Sequence, residues 1–303
     1  MDIPRFLPQA AATLFSALCL AYPSSAADWR GTESEKFQVP ENWRVGGDSG
    51  DVFIPVAGDK NKTALYIQNG QNPALSYTAA DGDTQFTEQL LVGQHKGSTG
   101  ELDISGGSLA VNLTGRWTAI VGQTVEGVVK VSGGVLTLLA GTEAGAPDGL
   151  PKEWGLIIGN EPKGLGSVEV TGGEVQVGGG LWLGRSGGAG NLSIGGTGKV
   201  ICDGPVLLAG GINTSVIELG KGSGILHATA NGDLHFPLVD GSNSGFINFA
   251  KGSKGRISLH GKDKTYFDKL VTEGRIRIGG GPAKPEQFQF RQAGAQGDYS
   301  LAN

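Results

Sequence analysis

The chain has 303 residues, of which 54 are Gly and 13 are Pro, and only 17% of them are charged. Gly and Pro oppose long helices, so the composition excludes a helical bundle. No Gly-X-Y period occurs, which excludes a collagen-like fibre. A hydrophobic fraction of 38% is too high for a disordered linker. At a net charge of −5, neither nucleic acid nor an anionic membrane surface is a favoured electrostatic partner.

Residues 1–27 have the parts of a secretory signal peptide. A single Arg5 precedes an apolar run from Pro8 to Tyr22, and small residues follow up to Ala27. The run is too short to span a bilayer comfortably, and we expect it to be cleaved from an exported bacterial protein. The sequence therefore predicts a protein that is secreted or held at the cell surface and that keeps no transmembrane segment after cleavage.

Residues 28–60 precede the regular part of the sequence and contain Trp29, Phe37 and Trp43. An open stack of strands exposes a sheet edge at each end, and these edges must be covered. We expect this segment to be an N-terminal cap. Residues 61–260 are then predicted to form the coils and residues 261–303 a C-terminal cap.

A motif recurs within residues 90–230. Each copy has a short apolar strand ending in a small residue, usually Gly, a variable turn, a strand of the form Gly-x-apolar-x-apolar, a Gly-Gly turn and, in most copies, a third short strand. Copies begin at residues 90, 119, 156, 181 and 206, and a Gly- and Pro-rich insertion at 141–154 lengthens one interval. Three short strands with three turns use about 25 residues. The motif therefore predicts an all-β fold: a single-stranded parallel β-helix, right-handed and three-sided, with about six to eight coils.

Stacking of the coils assigns each strand residue to the interior or the exterior. In the middle and third strands the predicted interior residues are Leu102, Ile104, Leu109, Val111, Val129, Val131, Leu136, Leu138, Val168, Val170, Val175, Val177, Leu192 and Ile194. Between them an outward column predicts a charge ladder, formed by Asp103, Lys130, Glu169 and Ser193. The Gly-Gly pairs at 106/107, 133/134, 172/173 and 195/196 fit corners with positive φ.

The first strand of each copy is apolar at every position, which is typical of strands buried on both faces. If Leu90 and Val92 face inward, the residues between inward positions form an outward apolar stripe. Its predicted members are Leu91, Ile120, Ile157, Trp182 and Leu207. We expect the stripe to be covered by the N-terminal segment or by the 141–154 insertion, or to serve as a surface for self-association or for a partner.

Residues 264–273 (KTYFDKLVTE) break the rhythm of the coils. Their apolar residues lie at positions 266, 267, 270 and 271, and Gly274 follows. This spacing predicts a short amphipathic helix that covers the last coil, followed by a strand with the sequence RIRI.

Three features of the sequence are similar to those of one group of bacterial proteins. They are the opening Trp29-Arg30-Gly31 with Glu41-Asn42-Trp43, the repeated G-x-L-x-I-S-G-G coil, and the segment FDKLVTEGRIRIGGG at 267–281. In these features the chain resembles the Gly-rich β-helical passenger repeats of bacterial surface proteins, of the autotransporter-associated and PEP-CTERM-sorted types. The resemblance implies a β-helix that acts at the cell surface.

Other motifs favour structural roles over chemistry. The segment 184–188 (GRSGG) matches the nucleophile-elbow pattern G-x-S-x-G, but the repeat strand that follows it predicts a solenoid turn. Residues 81–83 (DGD) predict a polar turn rather than a calcium loop. Cys202 has no His or second Cys near it in the sequence and is predicted to be an inert core thiol. The His spacings fit no zinc motif, so no metal or cofactor is expected.

Two functions remain open at this point. The favoured one is a structural or adhesive module of the bacterial cell surface or extracellular matrix, which self-associates or binds a surface glycan or protein, and not nucleic acid. The alternative is a polysaccharide lyase or glycoside hydrolase on the same scaffold, for which Glu169 and Glu174 are the best carboxylate pair. A flat face that orders ions or ice would need ranks of identical Thr or Asp, whereas these columns are mixed.

Overall fold

A computed structural model describes residues 27–45, 60–61, 64–94, 98–113, 118–139, 141–142, 153–209, 213–229, 233–236 and 245–302. Nearly all of the predicted signal peptide, part of the N-terminal cap and most of the 141–154 insertion lie outside these residues. The strands in chain order are β1 (Ala27–Trp29), β2 (Trp43–Val45), β3 (Lys60–Asn61), β4 (Leu65–Ile67), β5 (Leu75–Tyr77), β6 (Asp83–Glu88), β7 (Leu90–Val92), β8 (Gly100–Leu113), β9 (Ala119–Val121), β10 (Glu126–Leu139), β11 (Gly141–Thr142), β12 (Glu153–Ile158), β13 (Leu165–Val170), β14 (Glu174–Val177), β15 (Gly180–Leu183), β16 (Ala189–Gly196), β17 (Lys199–Cys202), β18 (Val206–Leu208), β19 (Val216–Gly222), β20 (Ile225–Ala228), β21 (Leu234–His235), β22 (Phe246–Phe249), β23 (Arg256–His260), β24 (Ile276–Ile278), β25 (Gly281–Pro282), β26 (Phe288–Ala293) and β27 (Gln296–Leu301). One helix, α1 (Lys264–Thr272), follows β23.

Most strands stack in register as three parallel ladders. The first ladder contains β1, β4, β7, β9, β12, β15, β18 and β21. The second contains β5, the first halves of β8 and β10, β13, β16, β19, β22 and β24. The third contains β3, β6, the second halves of β8 and β10, β14, β17, β20 and β23. The predicted parallel β-solenoid is thereby confirmed, with about seven turns.

The register reproduces the repeat that is visible in the sequence. Leu156 pairs with Leu181, and Leu181 pairs with Val206, so the 25-residue interval is one full coil. The ladder also extends before the first recognised copy, because Leu65 pairs with Leu90 and Ala27 pairs with Leu65. Part of the segment expected to be only a cap therefore contributes a parallel strand to the first ladder.

The interior is filled by aliphatic tiers, as predicted. All fourteen residues assigned to the interior of the second and third ladders are at most 2% exposed. Full burial of one such side chain contributes about 1.5–3 kcal/mol. Because each tier contacts only the coils above and below it, the stability of one coil depends on its neighbours.

Glycines shape the corners in two ways. Gly107, Gly134 and Gly196 have positive φ, as predicted for the Gly-Gly turns. The prediction of positive φ is wrong for Gly173, where a Cβ would instead lie 2.6 Å from Cγ1 of Val131, so close packing excludes a side chain. At the corner after the first ladder, Gly159 has φ +72°, and a Cβ there would lie 2.1 Å from the carbonyl oxygen of Ala189.

An aromatic plug closes the N-terminal end of the core. Phe37 lies with its ring centroid 5.4 Å from those of Trp43 and Tyr77, and Trp29 packs edge-on against Trp43 at 5.0 Å. The buried amide of Asn42 accepts hydrogen bonds from the backbone N–H groups of residues 33 and 34. The Trp and Asn residues of the lead-in motif therefore fold the loop that seals this end.

The C-terminal end is covered by α1 and an antiparallel hairpin. Helix α1 begins after Asp263, whose carboxylate accepts the N–H of Tyr266, and its buried face points to the core. This confirms the predicted helix, and the last three residues of the RIRI segment form β24. Strand β27 pairs antiparallel with β23 and β26, and its Tyr299 ring stacks between Phe267 and Phe288 at 4.7 Å from each.

Candidate functional site

The predicted apolar stripe is a second cluster outside the main core. Its five members, Leu91, Ile120, Ile157, Trp182 and Leu207, pack with Ala64, Tyr66, Trp154 and Ala209. None of the five is more than 7% exposed, and this burial arises within one chain. Trp154, the last residue of the insertion segment, lies with its ring centroid 5.1 Å from that of Trp182. The stripe is therefore covered by the chain itself.

The outward side chains of the second ladder form a different kind of column, which we call the charged column. The predicted alignment of Asp103, Lys130, Glu169 and Ser193 is confirmed by the strand register. The register extends the column at both ends. Its members are Ser76, Asp103, Lys130, Glu169, Ser193, Glu218, Asn248 and Arg277.

The strongest electrostatic coupling in this column surrounds Lys130. Its ammonium forms an ion pair with Glu101 and lies 4.0 Å from Oδ1 of Asp103. Burial raises the pKa of Asp103, and the nearby carboxylates of Glu101 and Glu169 act in the same direction, while Lys130 opposes them. The hydrogen bond to Glu101 raises the pKa of Lys130. The arrangement places a carboxyl group that resists ionisation beside a permanent cation.

The structure assigns Glu169 and Glu174 to different ladders. Glu169 lies in the charged column, between Lys130 and Ser193. Glu174 lies in the third ladder, where its carboxylate accepts a hydrogen bond from Gln176 at 2.6 Å and lies 3.9 Å from the ammonium of Lys199. Each carboxylate thus has its own set of partners, and the two share no partner among the described contacts.

A buried amide column was missed by sequence reasoning. Directly after the glycines at the end of the first-ladder strands stand Gln94, Gln123 and Asn160, each 7% exposed. The N–H of Gln123 donates to the carbonyl of Gly93, and that of Asn160 donates to Gly122, at 2.9 and 3.0 Å. The sequence contains a signal for this column, because an amide residue follows the Gly that ends the first strand in three consecutive copies. Backbone hydrogen bonds between successive coils therefore hold the corner between the first and second ladders, and the amide side chains are buried there.

An open cleft lies at the N-terminal end of this amide column. Its volume is about 370 Å³, and its lining is polar, formed by Arg30, Thr32, Gln68, Asn69, Gly70, Asn72 and Ser98. The groups that line it already hold the loop together, since Asn69 donates to the carbonyl of Asn72 at 2.7 Å and Asn72 donates to that of Arg30 at 2.9 Å. The cleft is thus bounded mainly by structural hydrogen bonds.

The remaining motifs have structural environments. Ser186 lies in an exposed turn that leads into strand β16, so the 184–188 segment forms a solenoid turn. The carboxylate of Asp81 accepts the N–H of Thr78 at 2.8 Å and caps a short 3₁₀ turn. Burial raises the pKa of Cys202 to about 12, which keeps its thiol protonated. Among the described residues, no group of three or more His, Cys, Asp or Glu could hold a metal ion.

Known proteins supply no analogy for these features, because no family model, curated protein or solved structure matches the chain. In the ranges that the structure describes, no helix is both long and apolar enough to cross a membrane. A functional proposal for this chain therefore depends on its own geometry.

Proposed function

We propose that the protein is an exported binding module of the bacterial cell surface or extracellular matrix. The leader at 1–27 directs export, and the solenoid presents the charged column to a surface glycan, a protein or a second copy. The observation that supports this most is that eight outward positions of one ladder, of which only Asn248 is buried, form a continuous polar column, while the neighbouring apolar stripe is covered.

The solenoid backbone holds the side chains of this column at regular, fixed positions. Neighbouring strands lie about 4.8 Å apart, so side chains of successive coils stand at fixed intervals along the axis. Because the backbone of each coil is hydrogen-bonded to the next, little conformational entropy is lost when a partner binds. Such a surface suits a partner with its own repeat, such as a polysaccharide chain.

A binding array tests the proposal with two matched triple variants. The first, Asp103→Ala with Lys130→Ala and Glu169→Ala, removes two acids and one lysine from the charged column. The second, Glu174→Ala with Lys199→Ala and Asp203→Ala, removes the same charges from the third ladder and the turn directly after β17. We expect the mature chain to bind a glycan or surface protein, or to self-associate in native mass measurement. The first variant should lose this binding or self-association, and the second variant should keep it. Equal binding by both variants would contradict the proposal.

A polysaccharide lyase is the second candidate, favoured by the raised pKa of Asp103 beside Lys130. In such a step Lys130 would neutralise a uronate carboxylate and Asp103 would take the proton from C5. The electron pair would form the C4–C5 double bond as the C4–O bond breaks, and the departing oxygen would take a proton from water. Absorbance at 232 nm during incubation with polyuronates detects this product. Turnover that disappears in Asp103→Asn would replace the binding proposal with this one.

A further inference from the structure

The charges of this acidic chain are segregated along the solenoid axis. Residues 245–303 contain 10 Lys and Arg but only 5 Asp and Glu, whereas residues 1–244 contain 14 Lys and Arg and 24 Asp and Glu. Since the coils stack in chain order, position in the sequence is also position along the axis. The C-terminal end is therefore basic and the rest of the body is acidic, a contrast that the net charge of −5 conceals.

Four of the five acids of the C-terminal end, all except the exposed Glu286, are engaged internally, and Asp263 among them caps helix α1. Asp268 is paired with Lys264 and accepts a hydrogen bond from the Tyr299 hydroxyl at 3.1 Å. Glu273 lies 3.8 Å from the ammonium of Lys269, and Asp298 lies 3.8 Å from the Arg256 guanidinium. The basic surplus is thus carried by other side chains.

Three of these side chains are exposed lysines without an ion pair in the part of the chain that the structure describes: Lys251, Lys254 and Lys284. Lys251 and Lys254 lie in the turn between β22 and β23. The turn after β24 lies against Lys251, since a Cβ at Gly279 would lie 2.9 Å from Cε of Lys251. Arg277, on β24, holds its guanidinium 3.9 Å from the centre of the Phe246 ring. These cations therefore lie on neighbouring segments of the C-terminal end, since β24 pairs with both β22 and β25.

We propose that this basic C-terminal end binds an acidic polysaccharide whose uronate carboxylates repeat along the chain, and so holds the exported protein on such a polymer. Lysine ammonium groups attract repeated carboxylates, and the planar guanidinium of Arg277 can donate two parallel hydrogen bonds to one of them. The inference depends on the export part of the proposed function but uses a surface other than the middle of the charged column.

Two other partners fit this end less well. Binding to a bilayer would need an apolar side chain that can enter it. The large apolar residues of α1 are instead buried against the core: Phe267, Leu270 and Val271. The opposite end of a second copy offers little complementary charge, because residues 27–45 contain four acids against three bases. Charge complementarity therefore favours a soluble polyanion over end-to-end contact between two copies.

The test measures binding of the full chain to immobilised polygalacturonate at about 0.05 M and about 0.3 M NaCl, since salt screens such contacts. The cap variant carries Lys251→Gln, Lys254→Gln and Lys284→Gln. The control carries Lys36→Gln, Lys163→Gln and Lys221→Gln, three exposed lysines of the acidic body, and so has the same net charge. We expect binding at low salt to weaken about tenfold in the cap variant and less than about twofold in the control.

A rescue variant with Lys→Arg at the same three cap positions should bind like the wild type, and thermal unfolding shows that each variant is folded. Equal weakening in the cap variant and the control, or binding by the wild type to anionic vesicles but not to polygalacturonate, would overturn the inference. A wild-type chain that ignores polygalacturonate but binds another partner through the charged column would also overturn it, while leaving the proposed function standing.

Discussion

Two outward columns of the same coils have opposite surroundings. The apolar stripe on the first ladder is buried, with Trp182 only 7% exposed, whereas the side chain of Lys130 in the charged column is 45% exposed. Both columns point away from the main core. The difference shows that an outward direction in a solenoid does not by itself make a surface, because an apolar column gains a second layer of packing.

This contrast has a functional consequence. A partner that approaches the folded chain meets the charged column directly but reaches the apolar stripe only if its cover moves. Substitutions in the two columns should therefore separate folding from binding.

Removing Trp182 should have the largest effect. Trp182→Ala deletes a buried ring that contacts Trp154 and that lies under the Arg185 guanidinium, so we expect a loss of about 3–5 kcal/mol in the free energy of unfolding. Lys130→Ala is the matched change in the charged column and should cost less than about 1 kcal/mol. Urea unfolding followed by circular dichroism measures both. Similar losses in the two variants would show that the two columns contribute equally to stability, which would contradict the difference in their burial.

The corner between the two ladders should show the next largest effect. At Gly159 an alanine would combine φ +72° with a Cβ 2.1 Å from a backbone oxygen, whereas at Gly280 an alanine would meet φ +79° in open space. We expect Gly280→Ala to lose about 1–2 kcal/mol from the left-handed backbone alone and Gly159→Ala to lose about 3 kcal/mol. If both variants lose the same free energy of unfolding, close packing at the corner is not what requires glycine.

Much of this fold could be predicted because side-chain direction alternates along a strand and the repeat aligns the coils. The inward tiers, the apolar stripe and the charged column all follow from those two rules, whereas helix α1 follows from the helical spacing of its apolar residues. The earliest coil escaped detection because Gln68 follows β4 where later copies have Gly, and because β5 is only three residues long. The motif is thus absent from a coil that nevertheless pairs in register.

The cover of the stripe and the amide column could not be predicted in the same way. The stripe packs with Ala64, Tyr66, Trp154 and Ala209, whose types differ from coil to coil, so no repeated pattern indicates their contacts. Gln94, Gln123 and Asn160 stand in turns of variable length, where polar residues are expected to be exposed, so their burial follows only from the stacking of the corners. Glu169 and Glu174 are close in sequence, but the intervening turn places them in different ladders.

The smallest effect expected is a pH dependence at Asp103. Burial raises the pKa of this carboxyl group above its ordinary value of 3.8, so the folded chain keeps the proton at pH values where the unfolded chain has lost it. The contribution of Asp103 to stability is then complete below the ordinary pKa and falls as the pH rises through the raised pKa. Asp103→Asn stays neutral at every pH, so we expect it to match the wild type in acid and to be more stable near neutrality, by less than about 1 kcal/mol because a partly exposed charge is screened.

Unfolding by urea at several values between about pH 3 and pH 7 measures this difference, with Glu169→Gln in the same column as the control. A constant difference between Asp103→Asn and the wild type over this range would mean that the surroundings of Asp103 do not oppose its ionisation, and the charged column would then differ even more from the covered apolar stripe.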